Sequence, residues 1–321
     1  LDLSWHVAGP YCTKLLADYG AEVIKVERPE GGDPARKAGP FPDDKPDPEA
    51  SGFFFYLNNN KKSITLDFKT DSGKRDIKEL IKWADILVEN FSPGVMASLG
   101  LDYETLKSIN PGLVMTSISN FGQTGPYRDY KATDIVIQAM GEWIFYRGDF
   151  RREPLMAASG LRISEFIGGV FGASATLSAL AHQRQTGMGQ HVDVSLMEAA
   201  IQMTPYVWSG ITFPLSFFPP VRIIYTPGVE ECKNGYVGLN ILTGQHWLDL
   251  CGLTEMYDWM EDENYALMGK RAMRAQEVKD RMRPWLMART RQEILEEGIA
   301  WRIPVSKVFT SEDVVKSEVH Q

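Results

Sequence analysis

The chain has 321 residues, 44% of them hydrophobic and 24% charged, with a formal net charge of −8 at neutral pH, which suffices for a large core in two domains or in one elaborate α/β unit. The acidic balance argues against a general binder of nucleic acid or anionic membrane, whose affinity rests on Lys and Arg neutralising phosphates, and no apolar run approaches the length expected of a bilayer span. Cys12, Cys232 and Cys251 form neither a CxxC pair nor a disulfide framework, so a reducing compartment, the cytoplasm, is expected.

"LDLSW" reads as the second half of a buried strand, and "SEVHQ" follows a helical pattern without a cap, so further natural residues are expected at both ends. "YCTKLLADYGA" has helical apolar spacing ending near Gly20, and "EVIKVE" follows as a short buried strand. "PFPDDKPDPEASG" reads as a mobile acidic loop. "KSITLDF" is strand-like, "TDSGKRDIKELIKWA" an amphipathic helix capped by Thr70 or Asp71, and "DILVEN" a strand. "DYETLKSIN" is a short helix stopped at Asn110-Pro111, and "GLVMTSISNFG" a strand entering a glycine turn. "GGVFGASATLSALA" is a helix packed with small residues, costly unless a neighbour approaches closely; tight helix packing and a ligand cradle both fit. Repeated strand-helix-strand units predict a parallel sheet with helices on its faces. Beyond Phe213 the texture turns to proline and aromatics, then "GYVGLNI" reads as a strand before helices from Gln245 to about Gly298. The expected division is residues 1–210 as a large Rossmann-like domain and 211–321 as a linker and small α/β domain.

The five histidines show no metal-ligand spacing, so no metal is expected. There is no GxSxG elbow, no GxxxxGK[ST] loop and no GxGxxG opening a helix after a strand, so no nicotinamide site is expected. "RPEGGDPARKAGP" sets Gly31, Gly32 and Asp33 in a turn before Arg36 and Lys37, and "NNNKK" sets Lys61 and Lys62 before a strand. Such loops can hold phosphates through backbone N–H groups and cations, or be simply solvated. Glu165 stands at the mouth of the small-residue helix, where the macrodipole favours an ionised carboxylate; alone, it reads as an ordinary N-terminal helix acid.

Four stretches in order, "LDLSWHVAGPYCTKLLADYGAEVIKVERPEGGDPAR", "NNNKKSITLDFKTDSGK", "ADILVENFSPGVMASLGLDYETLKSINPGLVMTSISNFGQTGPY" and "RQTGMGQHVDVSLMEAA", make the chain resemble the class III (CaiB/BaiF-type, formyl-CoA transferase-like) CoA-transferases. The resemblance implies a Rossmann-like large domain with a parallel sheet, a smaller α/β domain, and ring-shaped protomers that interlock as a homodimer, or as a heteromer with a homologous catalytic subunit. It implies coenzyme A and acyl-CoA as substrates, together with carboxylic acids, and an enzyme-bound anhydride and thioester as intermediates. Arg36 matches the family arginine at the CoA nucleotide, and Val7 and Ala8 line up with the segment beside bound CoA. Lys61 and Lys62 lie near family basic residues, and Asn90 falls in a matching stretch. Ser119 and Phe121 stand where some formyl-CoA transferases have a lysine and a tyrosine, which counts against small acids such as formate or oxalate.

Counting back from "TGMGQHVDVSL", Glu165 falls where the family has its catalytic aspartate, and no aspartate lies between Phe150 and His191. A glutamate with a reference pKa near 4.3 is ionised at neutral pH and can act as the nucleophile. Three readings stay open: Glu165 is the working nucleophile, the chain is a non-catalytic partner of a subunit carrying the aspartate, or it is an inactive CoA binder. The racemase branch uses a histidine before the aspartate of a "GHD" motif; "KATD" offers Thr133 before Asp134, so racemisation ranks below transfer. "MGEWIFYRGDF" and "TPYVWSGITFPLSFF" could pack a core or form an apolar or aryl acyl pocket, and a dicarboxylate such as succinate is a candidate CoA donor.

Overall fold

The structure is a computed structural model that describes residues 1–146, 160, 162–203 and 227–318. Of these, residues up to 203 belong to one compact unit and residues from 227 onward to another. The expected boundary at residues 210 and 211, the segment from Thr204 to Phe218 and the end of "MGEWIFYRGDF" lie outside the described residues.

The first unit is built on parallel strands. Strand β1 (Val23–Glu27) pairs with β2 (Lys61–Thr65), and β3 (Ile86–Glu89) pairs with β4 (Val114–Ser119), which pairs with β5 (His191–Ser195). The extended opening residues join the two sets: Asp2 bridges both Lys25 and Val88 in parallel register. Its N–H donates to the Ile24 carbonyl at 2.9 Å, and the Leu3 N–H donates to the Val88 carbonyl at 2.9 Å. Every residue of β4 is buried, as expected where helices cover both faces. Neighbours on β3 feed opposite sides: Leu87 packs with Leu3, Val26, Ile77 and Leu106, while Val88 packs with Ala8, Cys12, Ile118 and Val194.

The helices follow their local chemistry. Helix α1 (Ala8–Asp18) gives way to Gly20 at φ +101°, and helix α2 (Gly52–Asn58) is capped by Ser51, whose Oγ accepts from the Phe54 N–H. Helix α3 (Asp71–Ile81) is capped by Thr70 and buries Ile77 and Ile81 on its one apolar stripe. Short helices α4 (Val95–Ser98) and α5 (Tyr103–Ile109) precede β4, and α6 (Asp134–Met140) and α7 (Trp143–Tyr146) follow it. Helix α2 carries no predicted counterpart: its apolar residues Phe55 and Tyr56 are exposed, so its sequence lacks the stripe that would mark it.

Helix α8 (Ile163–Thr186) runs from the site described below to the turn before β5, and α9 (Leu196–Gln202) follows that strand. By length and composition α8 could cross a bilayer, contrary to the expectation of no such run. Its small residues serve packing in the protein. A Cβ on Gly168 would meet Leu196 at 2.1 Å, one on Gly169 the Ala8 carbonyl oxygen at 2.8 Å, and one on Gly172 the Ile118 side chain at 2.8 Å. Of the two uses open to this glycine run, these three positions take helix packing.

The second unit has an antiparallel sheet of β6 (Val229–Cys232), β7 (Gly235–Leu239) and β8 (Val305–Lys307), in that order. Helices Gly244–Leu253, Ala275–Met287 and Arg291–Ala300 pack Trp247, Leu250, Val278, Met282 and Ile294 into its core.

Candidate active site

The chain leaves residues 1–3 toward β1 on one side of the sheet and leaves β3 toward β4 on the other. The loops after these adjacent strands therefore diverge, and in open α/β sheets such a switch point makes a crevice at the carboxyl ends of the strands. Asn90, next after β3, ties the two loops together: its Nδ2 donates to the Trp5 carbonyl at 2.7 Å and its Oδ1 accepts from the Trp5 N–H at 2.8 Å. His6 adopts a left-handed φ of +64°, and its N–H donates to Asp33 Oδ1 at 3.1 Å. A cavity of about 830 Å³ opens here, lined by residues 6–8 entering α1, by residues 90–93, by Ile118, Ser119 and Asn120 at the end of β4, by residues 128–135, and by Arg162, Glu165 and Leu196.

The mouth of α8 is fixed to α6. The Ser164 N–H donates to Asp134 Oδ1 at 2.9 Å, the Ser164 hydroxyl donates to the same oxygen, and Gln138 Nε2 donates to Oδ2. Before Ser164 the backbone turns through Arg162 at φ +45° and ψ +40°, a left-handed conformation unusual for a side chain of that size. The Arg162 carbonyl accepts from the Glu165 and Phe166 N–H groups and so starts the helix. Its guanidinium lies over the Phe53 ring and 3.7 Å from Glu165 Oε2. The Glu165 side chain is only 20% exposed. Burial pushes its carboxyl above the ordinary glutamate value, the Arg162 charge opposes that rise, and the Asp134 charge adds to it.

Five of the residues expected at the site, Val7, Ala8, Asn90, Ser119 and Glu165, line this one cavity. Ser119 Oγ is buried and has no hydrogen-bond partner among the described residues. Phe121 packs instead against Tyr127 and Tyr130, with ring centroids 5.9 and 6.4 Å away.

The expected basic residues are engaged elsewhere. Arg36 forms a two-pronged pair with Glu27, Nε to Oε2 at 2.7 Å and Nη2 to Oε1 at 2.9 Å, and stacks on Phe54. Burial alone would raise Glu27, but Arg36, the Asp33 N–H and the Ser63 hydroxyl hold it at about 2. The glycine turn before Arg36 closes on that same carboxylate. Lys61 is buried, and its ammonium donates to Asp2 Oδ2 at 3.0 Å, the Pro10 carbonyl at 2.8 Å and Asn58 Oδ1 at 2.9 Å, which saturates its three N–H groups. Lys62 is exposed and pairs with Glu22.

Of the residues that hold the site in place, Arg162, Ser164 and Glu89 were not singled out from the sequence, and Asp134 figures there only as the aspartate of the racemase-type motif. Asp134 and Ser164 are 30 positions apart, and only the packing of α6 against α8 brings them together. Arg162 gives no motif. Buried Glu89 accepts the Phe91 N–H at 2.8 Å beneath the cavity loop, and burial pushes its carboxyl up to about 7. A carboxyl raised in the fold favours the protonated state, so its contribution is complete below the unfolded value near 4.5 and is lost as pH rises through about 7. Glu89→Gln is accordingly expected to raise stability above pH 7, by an amount on the order of 2–3 kcal/mol, and to flatten the pH dependence between those limits. Urea unfolding at pH 5 and pH 8 checks this, and an equal effect at both values would refute it.

Comparison with known proteins adds to this geometry. The model of the family described as CoA-transferase family III matches residues 1–321. The chain is 30% identical to a succinate–glutarate CoA-transferase of Agrobacterium fabrum, over 98% of its own length and 80% of that protein's. It is 32% identical to a formyl-CoA:oxalate CoA-transferase of Afipia carboxidovorans, over 99% and 80% respectively. Among solved structures, a CaiB/BaiF family protein from Brucella suis superposes with a TM-score of 0.84 at 30% identity, covering 99% of this chain and 84% of the other.

Proposed function

Given that the chain belongs to CoA-transferase family III, and so to enzymes that move CoA between thioesters and carboxylic acids, we propose that Glu165 is its nucleophile. The observation that carries this is the meeting of Glu165 with Val7, Ala8, Asn90 and Ser119 around one cavity at the carboxyl edge of the sheet. No other carboxylate in that lining is both partly buried and free of a firm structural bond: Asp134 is held by Ser164 and Gln138, and Asp129 faces Arg128 at 3.4 Å.

The steps follow from one carboxylate. A Glu165 oxygen attacks the thioester carbonyl, the C–S bond breaks, and CoA leaves as thiolate, giving a mixed anhydride. The thiolate attacks the Glu165 carbonyl carbon and releases the first acid as carboxylate, which leaves CoA on Glu165 as a thioester. The second acid's carboxylate attacks that thioester, expels CoA thiolate again and forms a second anhydride. The thiolate then takes the new acyl group, and Glu165 is restored. Charge is conserved at each step, so no proton needs to move.

The named relatives act on acids from formate and oxalate to succinate and glutarate, a range that sets no acyl preference for this chain. The test is mass spectrometry of the full chain incubated alone with succinyl-CoA and with aryl acyl-CoAs, followed by hydroxylamine. A hydroxamate on Glu165 that is absent from Glu165→Gln is the expected result. CoA binding without any adduct would overturn the reading and point to a partner subunit that carries the chemistry.

A further inference from the structure

We propose that Arg162 is a positioning residue whose guanidinium keeps Glu165 ionised and aimed into the cavity. The inference deepens the reading of Glu165 as nucleophile and rests on it.

Two independent features of the backbone and side chain support it. First, Arg162 occupies the left-handed conformation just before α8, where glycine or asparagine is the ordinary choice and a long side chain is strained. That conformation lets its carbonyl begin the helix while its side chain stays beside the first turn, with Nη1 3.7 Å from Glu165 Oε2. Second, the guanidinium lies over the Phe53 ring of α2, which limits where the cation can sit. Glu165 has no other cation within ion-pair distance among the described residues. The other charged or near-neutral titrating groups lining the cavity are His6, Arg128, Asp129, Lys131 and Asp134. Of these, Asp134 works against ionisation of Glu165, as burial does. A nucleophile in a water-poor pocket beside another carboxylate needs a nearby positive charge to remain a carboxylate at neutral pH. At 3.7 Å the pair is longer than an ordinary direct hydrogen bond.

The experiment titrates Glu165 directly. Protein labelled with 13C at glutamate Cδ is followed by NMR from pH 4 to pH 9, the Glu165 signal being assigned by its loss in Glu165→Gln. In Arg162→Gln the Glu165 midpoint is expected to move to higher pH, and in Arg162→Lys to stay near that of the parent. The acid limb of kcat/KM should move the same way, so that Arg162→Gln loses several-fold more activity at the acid end than at the alkaline end. Superimposable titrations for the parent and Arg162→Gln would overturn the proposal, as would a uniform loss of activity at every pH. This readout needs no turnover. Should Glu165→Gln retain full activity, the nucleophile reading fails on that result, whereas the role of Arg162 in the ionisation of Glu165 is judged by the titration.

Discussion

Glutamine at position 165 is expected to reduce CoA exchange on the order of 10³-fold or more while leaving the fold and CoA binding near those of the parent. The amide has nearly the shape of the carboxylate, and Glu165 makes a single loose ion pair, so little packing changes. What disappears is the anionic oxygen that forms both the anhydride and the enzyme thioester. Glu165→Asp tests geometry separately: it withdraws the carboxylate by about an ångström, and a misplacement of that size costs on the order of a hundredfold in rate. In the parent, burial raises the Glu165 carboxyl, and only its ionised form attacks. Activity should therefore fall as pH drops through that raised value, on the alkaline side of the ordinary glutamate value. Steady-state exchange assays from pH 5 to pH 8, with melting curves for each variant, check all three expectations. Retained exchange by Glu165→Gln would place the nucleophile elsewhere.

The second large effect concerns stability. Asp2→Asn is expected to cost about 3–5 kcal/mol, because it removes the carboxylate that pairs with the buried Lys61 ammonium and one of the two beside Lys25. Lys61 Nζ lies 3.0 Å and Lys25 Nζ 3.9 Å from Asp2 Oδ2, and the side chains of all three are 1% exposed or less. The hydroxyls of Ser4 and Thr13 also donate to this carboxylate. Burial works against ionisation of Asp2, yet the two lysines and the hydroxyls hold its carboxyl well below the usual carboxylate range. Its contribution is thus complete above the unfolded value near 3.8 and is lost only as pH falls below it. Burial lowers the Lys61 ammonium to about 8 despite Asp2, so without Asp2 that charge is harder still to keep. Adding Lys61→Met to Asp2→Asn should recover part of the loss, since a buried charge without a partner is worse than none. Urea unfolding at pH 7 reads both variants, and a double variant less stable by the sum of two independent losses would contradict this account.

The cluster also bears on the site. Lys25 Nζ donates to the Ser4 carbonyl at 2.8 Å and pairs with Asp33 at 2.9 Å, and Asp33 in turn holds the His6 N–H. The loop that lines the cavity is therefore anchored by charges beneath it. Lys61 belongs to that anchor, and it is not among the residues that line the cavity.

Local signals in the chain were sufficient for the strand and helix alternation of the first unit, because buried parallel strands read as short apolar runs and α3 and α5 carry their own caps. The resemblance to the class III CoA-transferases, carried by several motifs in order, points to Val7, Ala8, Asn90 and Glu165, and these residues line one cavity. Tertiary structure alone decided the rest. Asp2 meets Lys61 across 59 positions, Ser164 meets Asp134 across 30, and Asn90 meets Trp5 across 85. Whether a lysine or arginine faces a ligand or a buried carboxylate depends on which partners the sheet brings to it. That is a matter of distance in the folded chain, and no pattern of nearby residues encodes it.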